Sequence, residues 1–202
     1  MLTTKSNEES LWRFRLLSDE SYLVGFLAGD GAFNQHLSHY RIVLDTPYPS
    51  LAERFANEVL AVTGKHPLVY MPKSKHEVRV QLQSREWYEH LLALRNRART
   101  GELPVTNRQL FVKGFFDAEG CLQNPGTRNE QVTFSNNNVA LLDLVKVSLQ
   151  LLGIETGKIY AHGERCHGLA VRAHSLQLFK TVIGVDKPHR GITPSLSGGP
   201  VR

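Results

Sequence analysis

One short stretch that occurs twice constrains this chain more than any other feature of its sequence. Residues 22–31 read YLVGFLAGDG, and residues 111–120 read FVKGFFDAEG. Each copy is a mostly apolar run that ends in a small residue, a carboxylate and a glycine. Asp30 and Glu119 are 89 positions apart. This repetition indicates a duplicated unit.

Small residues inside each copy predict two helices that pack closely together. Gly25 and Gly29 lie four positions apart, as do Gly114 and Ala118, so each pair falls on one helix face. A glycine inside a helix costs about 1 kcal/mol relative to alanine, and the close approach of a second helix compensates for that cost. We therefore expect the two faces to meet.

The acidic end of each copy predicts a metal site. Gly31 and Gly120 stand where each helix would stop, and we expect both in the left-handed conformation. Asp30 and Glu119 then lie in a last turn, where the helix dipole disfavours a carboxylate by about 0.3–1 kcal/mol. Two converging carboxylates repel unless a cation lies between them, and Mg2+ prefers such oxygen ligands. The alternative is two buried, glycine-capped helices, but the repeated acid argues against it.

Bulk properties exclude several classes of protein. The 202 residues are 41% hydrophobic, enough for one or two domains with a core. No apolar run is long enough to span a membrane, and the first ten residues lack the apolar region of a signal peptide. Cys121 and Cys166 show no disulfide or zinc spacing, which favours a reducing intracellular location, in the cytoplasm or nucleoid. The net charge of +5 permits a polyanionic partner.

The hydrophobic pattern predicts the same order of elements in both halves. In the first half we predict strands at 32–37, 40–46, 67–70 and 76–83, with helices at 51–63 and 86–94. In the second half we predict strands at 121–124, 130–135, 158–161 and 168–174, with helices at 139–152 and 176–183. With the two motif helices, each half reads αββαββα, an α+β arrangement typical of an internal repeat.

These patterns also divide the chain. The predicted parts are an N-terminal arm (1–17), a first half (18–94), a basic linker containing Gly and Pro (95–105), a second half (106–185) and an irregular tail (186–202).

The two copies resemble the LAGLIDADG motif of homing endonucleases. In that nine-letter frame, the eighth position is the family's catalytic acid and falls on Asp30 and Glu119. The sixth position keeps Asp117 but has Ala28 in the first copy, and it is not a metal ligand in this family. The resemblance covers about residues 18–185. It implies two pseudo-symmetric halves that pair through the motif helices, with two antiparallel sheets forming a DNA-binding saddle.

Polar side chains on the predicted strands suit such a surface. Arg and Gln can make paired hydrogen bonds to guanine and adenine, and a two-stranded ribbon fits the major groove. The candidate strand residues are Arg41, Arg79, Gln81, Gln83, Gln131, Thr133, Arg172 and His174. Candidate phosphate contacts in the hairpin loops are Lys73, Lys75, His76, Arg128, His162, Arg165 and His167. For any single residue, an ordinary solvated face is the alternative.

The resemblance further implies a metal-dependent endodeoxyribonuclease of the intron-homing type. Asp30 and Glu119 would bind Mg2+, helped by the carbonyl groups of Gly29 and Ala118, and Mn2+ or Ca2+ could substitute in binding. A monomer would cut both strands of a long asymmetric DNA site and leave short 3′ overhangs.

One feature of the family is missing from the motif's surroundings. The family commonly places Lys or Gln near the metals, and no lysine stands clearly in that position here. Asn136 is a candidate for orienting water and Arg41 is another, whereas Lys113 is expected at the surface or on a phosphate.

Three other functions are open. An intron RNA maturase would use the same fold. A catalytically weakened DNA-binding relative would usually lose an acid, and both are present. An intein is disfavoured because the chain lacks the terminal splicing residues. No membrane partner is expected.

Overall fold

The computed structural model of the protein describes residues 19–72, 76–161 and 163–185. Both predicted terminal segments, at 1–17 and 186–202, lie outside the described residues. So do three of the predicted DNA contacts, namely Lys73, Lys75 and His162. Within the described ranges, no helix is long and apolar enough to cross a membrane.

The first half contains three helices and four strands in the predicted order. They are α1 (Ser21–Asp30), β1 (Ala32–His36), β2 (His39–Thr46), α2 (Pro49–Thr63), β3 (Leu68–Tyr70), β4 (Val78–Gln83) and α3 (Arg85–Arg99). Helix α2 begins with proline at its first position and is followed by Gly64, whose φ of 67° is left-handed.

The second half repeats this order. Its elements are α4 (Arg108–Glu119), β5 (Gly120–Gln123), β6 (Gln131–Asn136), α5 (Val139–Leu151), β7 (Tyr160–Ala161), β8 (His167–Ala170), a 3-10 turn (Ala173–Ser175) and α6 (Leu176–Val182). The predicted fold class of two αββαββα halves is therefore confirmed.

Each half forms one antiparallel sheet, and the strand order is the same in both. The orders are β1-β2-β4-β3 and β5-β6-β8-β7. Ala32 pairs with Val43 in the first hairpin, and Cys121 pairs with Thr133 in the second. The second hairpin is thus one residue longer, so equivalent positions just after it are 90 apart rather than 89.

Helices α1 and α4 pack at backbone distance, as their small residues predict. A side chain on Gly25 would overlap the carbonyl oxygen of Phe111, and one on Gly114 would overlap that of Tyr22. These two contacts are related by the internal repeat. All eight residues from Ser21 to Ala28 are buried, which is expected of a helix surrounded by protein on every side.

The glycines that follow the motif helices are not left-handed, so that prediction is wrong. Gly31 has φ −78° and ψ 135°, and Gly120 has φ −77° and ψ 153°. The backbone is extended because strands β1 and β5 begin at once. Glycine is needed there for space instead: a Cβ on Gly31 would overlap Leu27, and one on Gly120 would overlap Phe116.

Helix α3 is longer than predicted and takes in the first five residues of the predicted linker. It ends at Arg99 rather than Leu94, with Arg97 and Arg99 in its last turn. Positive side chains are favourable at that end of a helix dipole. Ala98 is completely buried, which ties the extra turn to the core. The basic residues of the predicted linker therefore belong to the C-terminal end of helix α3.

The last predicted strand is shorter than expected. Strand β8 ends at Ala170, and residues 173–175 form a 3-10 turn. Ser175 directs this change, because its amide donates to the Arg172 carbonyl over 2.9 Å and its hydroxyl accepts from the Glu155 amide over 3.0 Å. Side chains beyond Val171 therefore leave the sheet.

Candidate functional site

Asp30 and Glu119 line the same cavity at the paired ends of α1 and α4. The cavity has a volume of about 450 Å³. Asp30 is exposed and Glu119 is half-buried. A Cβ placed on Gly29 would lie 2.7 Å from Cγ of Glu119 and 2.9 Å from Cβ of Ala118. Because Gly29 has no side chain, the Glu119 side chain of α4 can pack directly against α1.

Glu119 is held by an amide from the neighbouring sheet. Asn136, at the end of β6, donates from Nδ2 to Oε1 of Glu119 over 2.8 Å. Asn136 is only 7% exposed, and its Oδ1 accepts from the Asn138 amide over 2.9 Å. Both ends of the side-chain amide are thus engaged, which fixes its orientation. The equivalent residue of the first half is Thr46, so the two halves differ at this position.

Asp117 forms a buried polar cluster that joins the two halves. Its side chain is fully buried and accepts from Tyr22 Oη (2.9 Å), Arg54 Nη1 (2.9 Å) and Lys113 Nζ (3.0 Å). Burial, followed by the neighbouring Asp117 carboxylate, raises the pKa of Tyr22 far above its ordinary value. Lys113 is thereby bound within the protein, which corrects the expectation of a surface or phosphate contact.

Four predicted DNA-contact residues share the polar face of the first sheet. Cross-strand pairing places Arg41 opposite Gln83, Val43 opposite Gln81 and Asp45 opposite Arg79. Arg79 and Asp45 form a two-point ion pair with both distances at 2.7 Å. The hydrogen bonds to Asp45 raise the pKa of Arg79 above its ordinary value, and the Tyr70 hydroxyl contributes in the same direction.

Fewer of the residues predicted to contact DNA lie on the exposed polar face of the second sheet. Gln131 is exposed on β6, but Thr133 is 6% exposed and accepts from Gln123 Nε2 over 3.3 Å. Arg172 and His174 were predicted on the polar strand face, and this is wrong because both follow the end of β8. His174 lies in the 3-10 turn, where its Nε2 is 3.2 Å from Glu155 Oε2.

The described residues that were predicted to contact phosphates differ in their location and exposure. His76 precedes β4, Arg128 lies between β5 and β6, and Arg165 lies between β7 and β8; all three are exposed. His167 instead begins β8 and is half-buried.

Sequence reasoning missed polar residues of β1 and β5. Asn34 and His36 pair with Arg41 and His39, and Gln123 pairs with Gln131. They share the polar faces, and aligning each hairpin strand by strand before assigning faces would have found them.

The described residues of the cavity offer a few oxygen ligands to a metal ion. Among the residues that the structure describes, no group of three or more His, Cys, Asp or Glu side chains is arranged to hold a metal ion. Asp30 and Glu119 are the carboxylates at the helix ends, while the cavity lining also includes Asp45 and Asp117, each bound to a basic side chain. Mg2+ commonly binds through one or two carboxylates together with water and substrate phosphates, so this donor set fits it.

Residues 107–184 match the family described as "LAGLIDADG-like domain". The homing endonuclease I-DmoI, in a complex with DNA and Mn, superposes with a TM-score of 0.64 at 20% identity, over 84% of this chain and 97% of that one. The chain has the LAGLIDADG fold. The homing endonuclease I-WcaI, bound to its DNA recognition sequence, gives a TM-score of 0.57 at 11% identity over 90% of each chain.

The LAGLIDADG fold also occurs in a protein that is not named as an endonuclease. The N-terminal LAGLIDADG domain of DUF199/WhiA superposes with a TM-score of 0.58 at 18% identity, over 83% of this chain and 81% of that one. An uncharacterized protein of Methanocaldococcus jannaschii is 28% identical over 144 residues, which is 67% of this chain. The chain spans about half, 54%, of that relative's length. These likenesses establish the fold, and function must be argued from the site.

Proposed function

We propose that this protein is a site-specific DNA endonuclease of the homing type, which hydrolyses both strands of duplex DNA with a divalent metal ion. The observation that carries the proposal is the meeting of Asp30 and Glu119 in one cavity at the ends of paired helices. Two acids at equivalent positions of a duplicated fold supply one carboxylate for each DNA strand. The DNA-bound LAGLIDADG neighbours support the same substrate.

Asp30 and Glu119 are the side chains that would hold Mg2+, with the carbonyl groups of Gly29 and Ala118 as further oxygen ligands. Bound Mg2+ supplies positive charge that favours an attacking hydroxide and a leaving 3′ oxygen. Asn136 keeps Glu119 in one orientation through its hydrogen bond. The ion pair with Arg79 neutralises the carboxylate of Asp45, which lines the same cavity.

DNA recognition is assigned to the polar sheet faces. Arg41, Gln81 and Gln83 present hydrogen-bonding side chains from adjacent strands of the first sheet, and Gln131 does so from the second. Exposed basic residues in the connections, Arg128 among them, suit phosphate contacts. Because the two faces carry different residues, the target is a long asymmetric sequence, bound by a monomer.

The test is cleavage of a randomised duplex library by the full chain in Mg2+. We expect double-strand cuts at one asymmetric sequence with short 3′ overhangs, and no cuts after chelation of the metal. Glu119→Gln and Asp30→Asn should each abolish double-strand cleavage and retain DNA binding. Glu89→Gln, an exposed acid on α3, is the matched control and should cleave normally. Cleavage that survives Glu119→Gln would refute the assignment.

One observation favours a second candidate, a DNA-binding protein with weak or no cleavage. Among the described residues, no lysine lines the cavity. The same library experiment separates the two candidates, because this second protein would enrich a sequence in a binding selection and leave it uncut at every metal concentration. A preference for intron RNA over duplex DNA would indicate a maturase.

A further inference from the structure

Arg79 and Asp45 form a fixed pair on the polar face of the first sheet. They are direct cross-strand partners on β4 and β2. Arg79 donates from Nε to Oδ1 of Asp45 and from Nη2 to Oδ2, each over 2.7 Å. This fork-to-fork geometry holds both planar groups in one orientation. The side chains are 28% and 22% exposed, so the pair is accessible from the sheet surface.

The ion pair occupies the side edge of the guanidinium, which is formed by Nε and Nη2, and does not involve the outer edge, which is formed by Nη1 and Nη2. A guanidinium has five N–H donors, and two of them point to Asp45. The others lie on Nη1 and Nη2, at the end farthest from the backbone. Two parallel N–H groups at that edge match O6 and N7 of guanine in the major groove. The Tyr70 hydroxyl flanks the guanidinium from β3.

Asp45 restricts Arg79 to one orientation before DNA binds, and this restriction favours discrimination between bases. A side chain already restricted to one orientation loses less conformational freedom on binding. The pairing also prevents Asp45 from repelling DNA phosphates, which an unpaired carboxylate on this face would do. Both effects depend on the two residues together, so each should affect recognition of the same base.

The second sheet lacks an equivalent pair. The residue that corresponds to Asp45 is Ser135, and its cross-strand partner on β8 is Gly168. The two halves therefore differ in their capacity for two-point recognition of guanine at this position.

We infer that Arg79, positioned by Asp45, reads one guanine in the half of the DNA site that the first sheet contacts. This inference rests on the proposed function. Asp45 also lines the cavity that contains Asp30 and Glu119, so the guanine lies at the end of that half-site nearer the cleavage position.

The test is a binding selection from a randomised duplex library with the full chain in Ca2+. Wild-type protein should enrich a sequence with a strongly preferred guanine. Arg79→Ala should lower that preference roughly 5- to 150-fold and leave preferences in the other half-site unchanged. Arg79→Lys keeps the positive charge but lacks the two-point edge, so it should also lose the guanine. Asp45→Asn should weaken the same preference, and Arg85→Ala, at an exposed arginine on α3, is the control that keeps it.

The outcomes distinguish this inference from the proposed function. If wild-type protein enriches a sequence and both Arg79 variants, folded by circular dichroism, select every guanine as strongly, the inference fails alone. If wild-type protein enriches no sequence at all, the proposed function fails and the inference fails with it. Loss of one guanine in both Arg79 variants, with retention in Arg85→Ala, supports the inference.

Discussion

Asn136 donates a hydrogen bond to Glu119 across the boundary between the second sheet and the motif helix, over 2.8 Å. A side chain that orients a metal-binding carboxylate commonly contributes about 10- to 100-fold to metal affinity or activity. We therefore expect Asn136→Ala to lower the rate of Mg2+-dependent cleavage by about that factor and to raise the Mg2+ concentration required.

Single-turnover cleavage across a Mg2+ titration measures this effect. Asn137→Ala, one position along and exposed, is the matched control and should behave like the wild type. Full activity of Asn136→Ala at limiting Mg2+ would contradict the positioning role.

Close approach of α1 and α4 predicts intolerance of a single methyl group. In Gly114→Ala the new Cβ would overlap the Tyr22 carbonyl oxygen and lie 2.9 Å from the Phe26 amide nitrogen. Because both neighbours are backbone atoms, the helices must separate, and we expect a loss of about 1–3 kcal/mol in the free energy of unfolding. Urea denaturation measures it.

Gly64→Ala is the control for the helix-interface variant. Its Cβ would meet no atom within 4 Å, but its φ of 67° is left-handed. We expect a smaller loss, of about 1 kcal/mol, from backbone strain alone. Equal losses in the two variants would argue against the steric explanation.

The Asp117 cluster predicts a structural rather than catalytic role for the sixth motif position. Asp117→Ala removes the acceptor shared by Tyr22, Arg54 and Lys113. Breaking a buried ion pair from one side typically costs about 3–5 kcal/mol, and the partial exposure of Arg54 places the expected loss near the lower value. Thermal unfolding measures it, with Glu89→Ala on the exposed face of α3 as a control that should unfold like the wild type. A fully stable Asp117→Ala would contradict this role.

Tyr22 predicts a loss of stability at high pH. Its pKa is raised above the ordinary value of 10.0 in the folded protein, first by burial and then by Asp117. Below pH 10 its hydroxyl is protonated in both states, and above pH 10 only the unfolded state loses the proton. The free energy of unfolding should then fall by up to about 1.4 kcal/mol per pH unit.

Tyr22→Phe separates this effect from the other tyrosines. The variant lacks the ionisable group, so its stability should fall less steeply above pH 10 than that of the wild type. It should also be less stable at neutral pH, because Asp117 loses one of its donors. Parallel alkaline slopes for the two proteins would show that Tyr22 does not ionise on unfolding.

Local patterns sufficed for most elements of the fold. Alternation placed Val80 and Leu82 in the core and Gln81 and Gln83 on the opposite face, as the structure has them. The predicted boundaries failed where contacts with other segments determine the conformation. Helix α3 continues to Arg99 because Ala98 is buried, and the chain turns after Arg172 because Ser175 bonds to the Glu155 amide.

The duplication, the two close-packed helices and the two acids at their ends follow from the order of residues, because these features depend on spacing along one chain. The neighbours of those acids follow from the folded arrangement. Asn136 reaches Glu119, and Arg79 reaches Asp45, through strand pairings whose register depends on hairpin lengths. The second hairpin is one residue longer than the first, and that difference sets Asn136 at the position that Thr46 occupies in the other half.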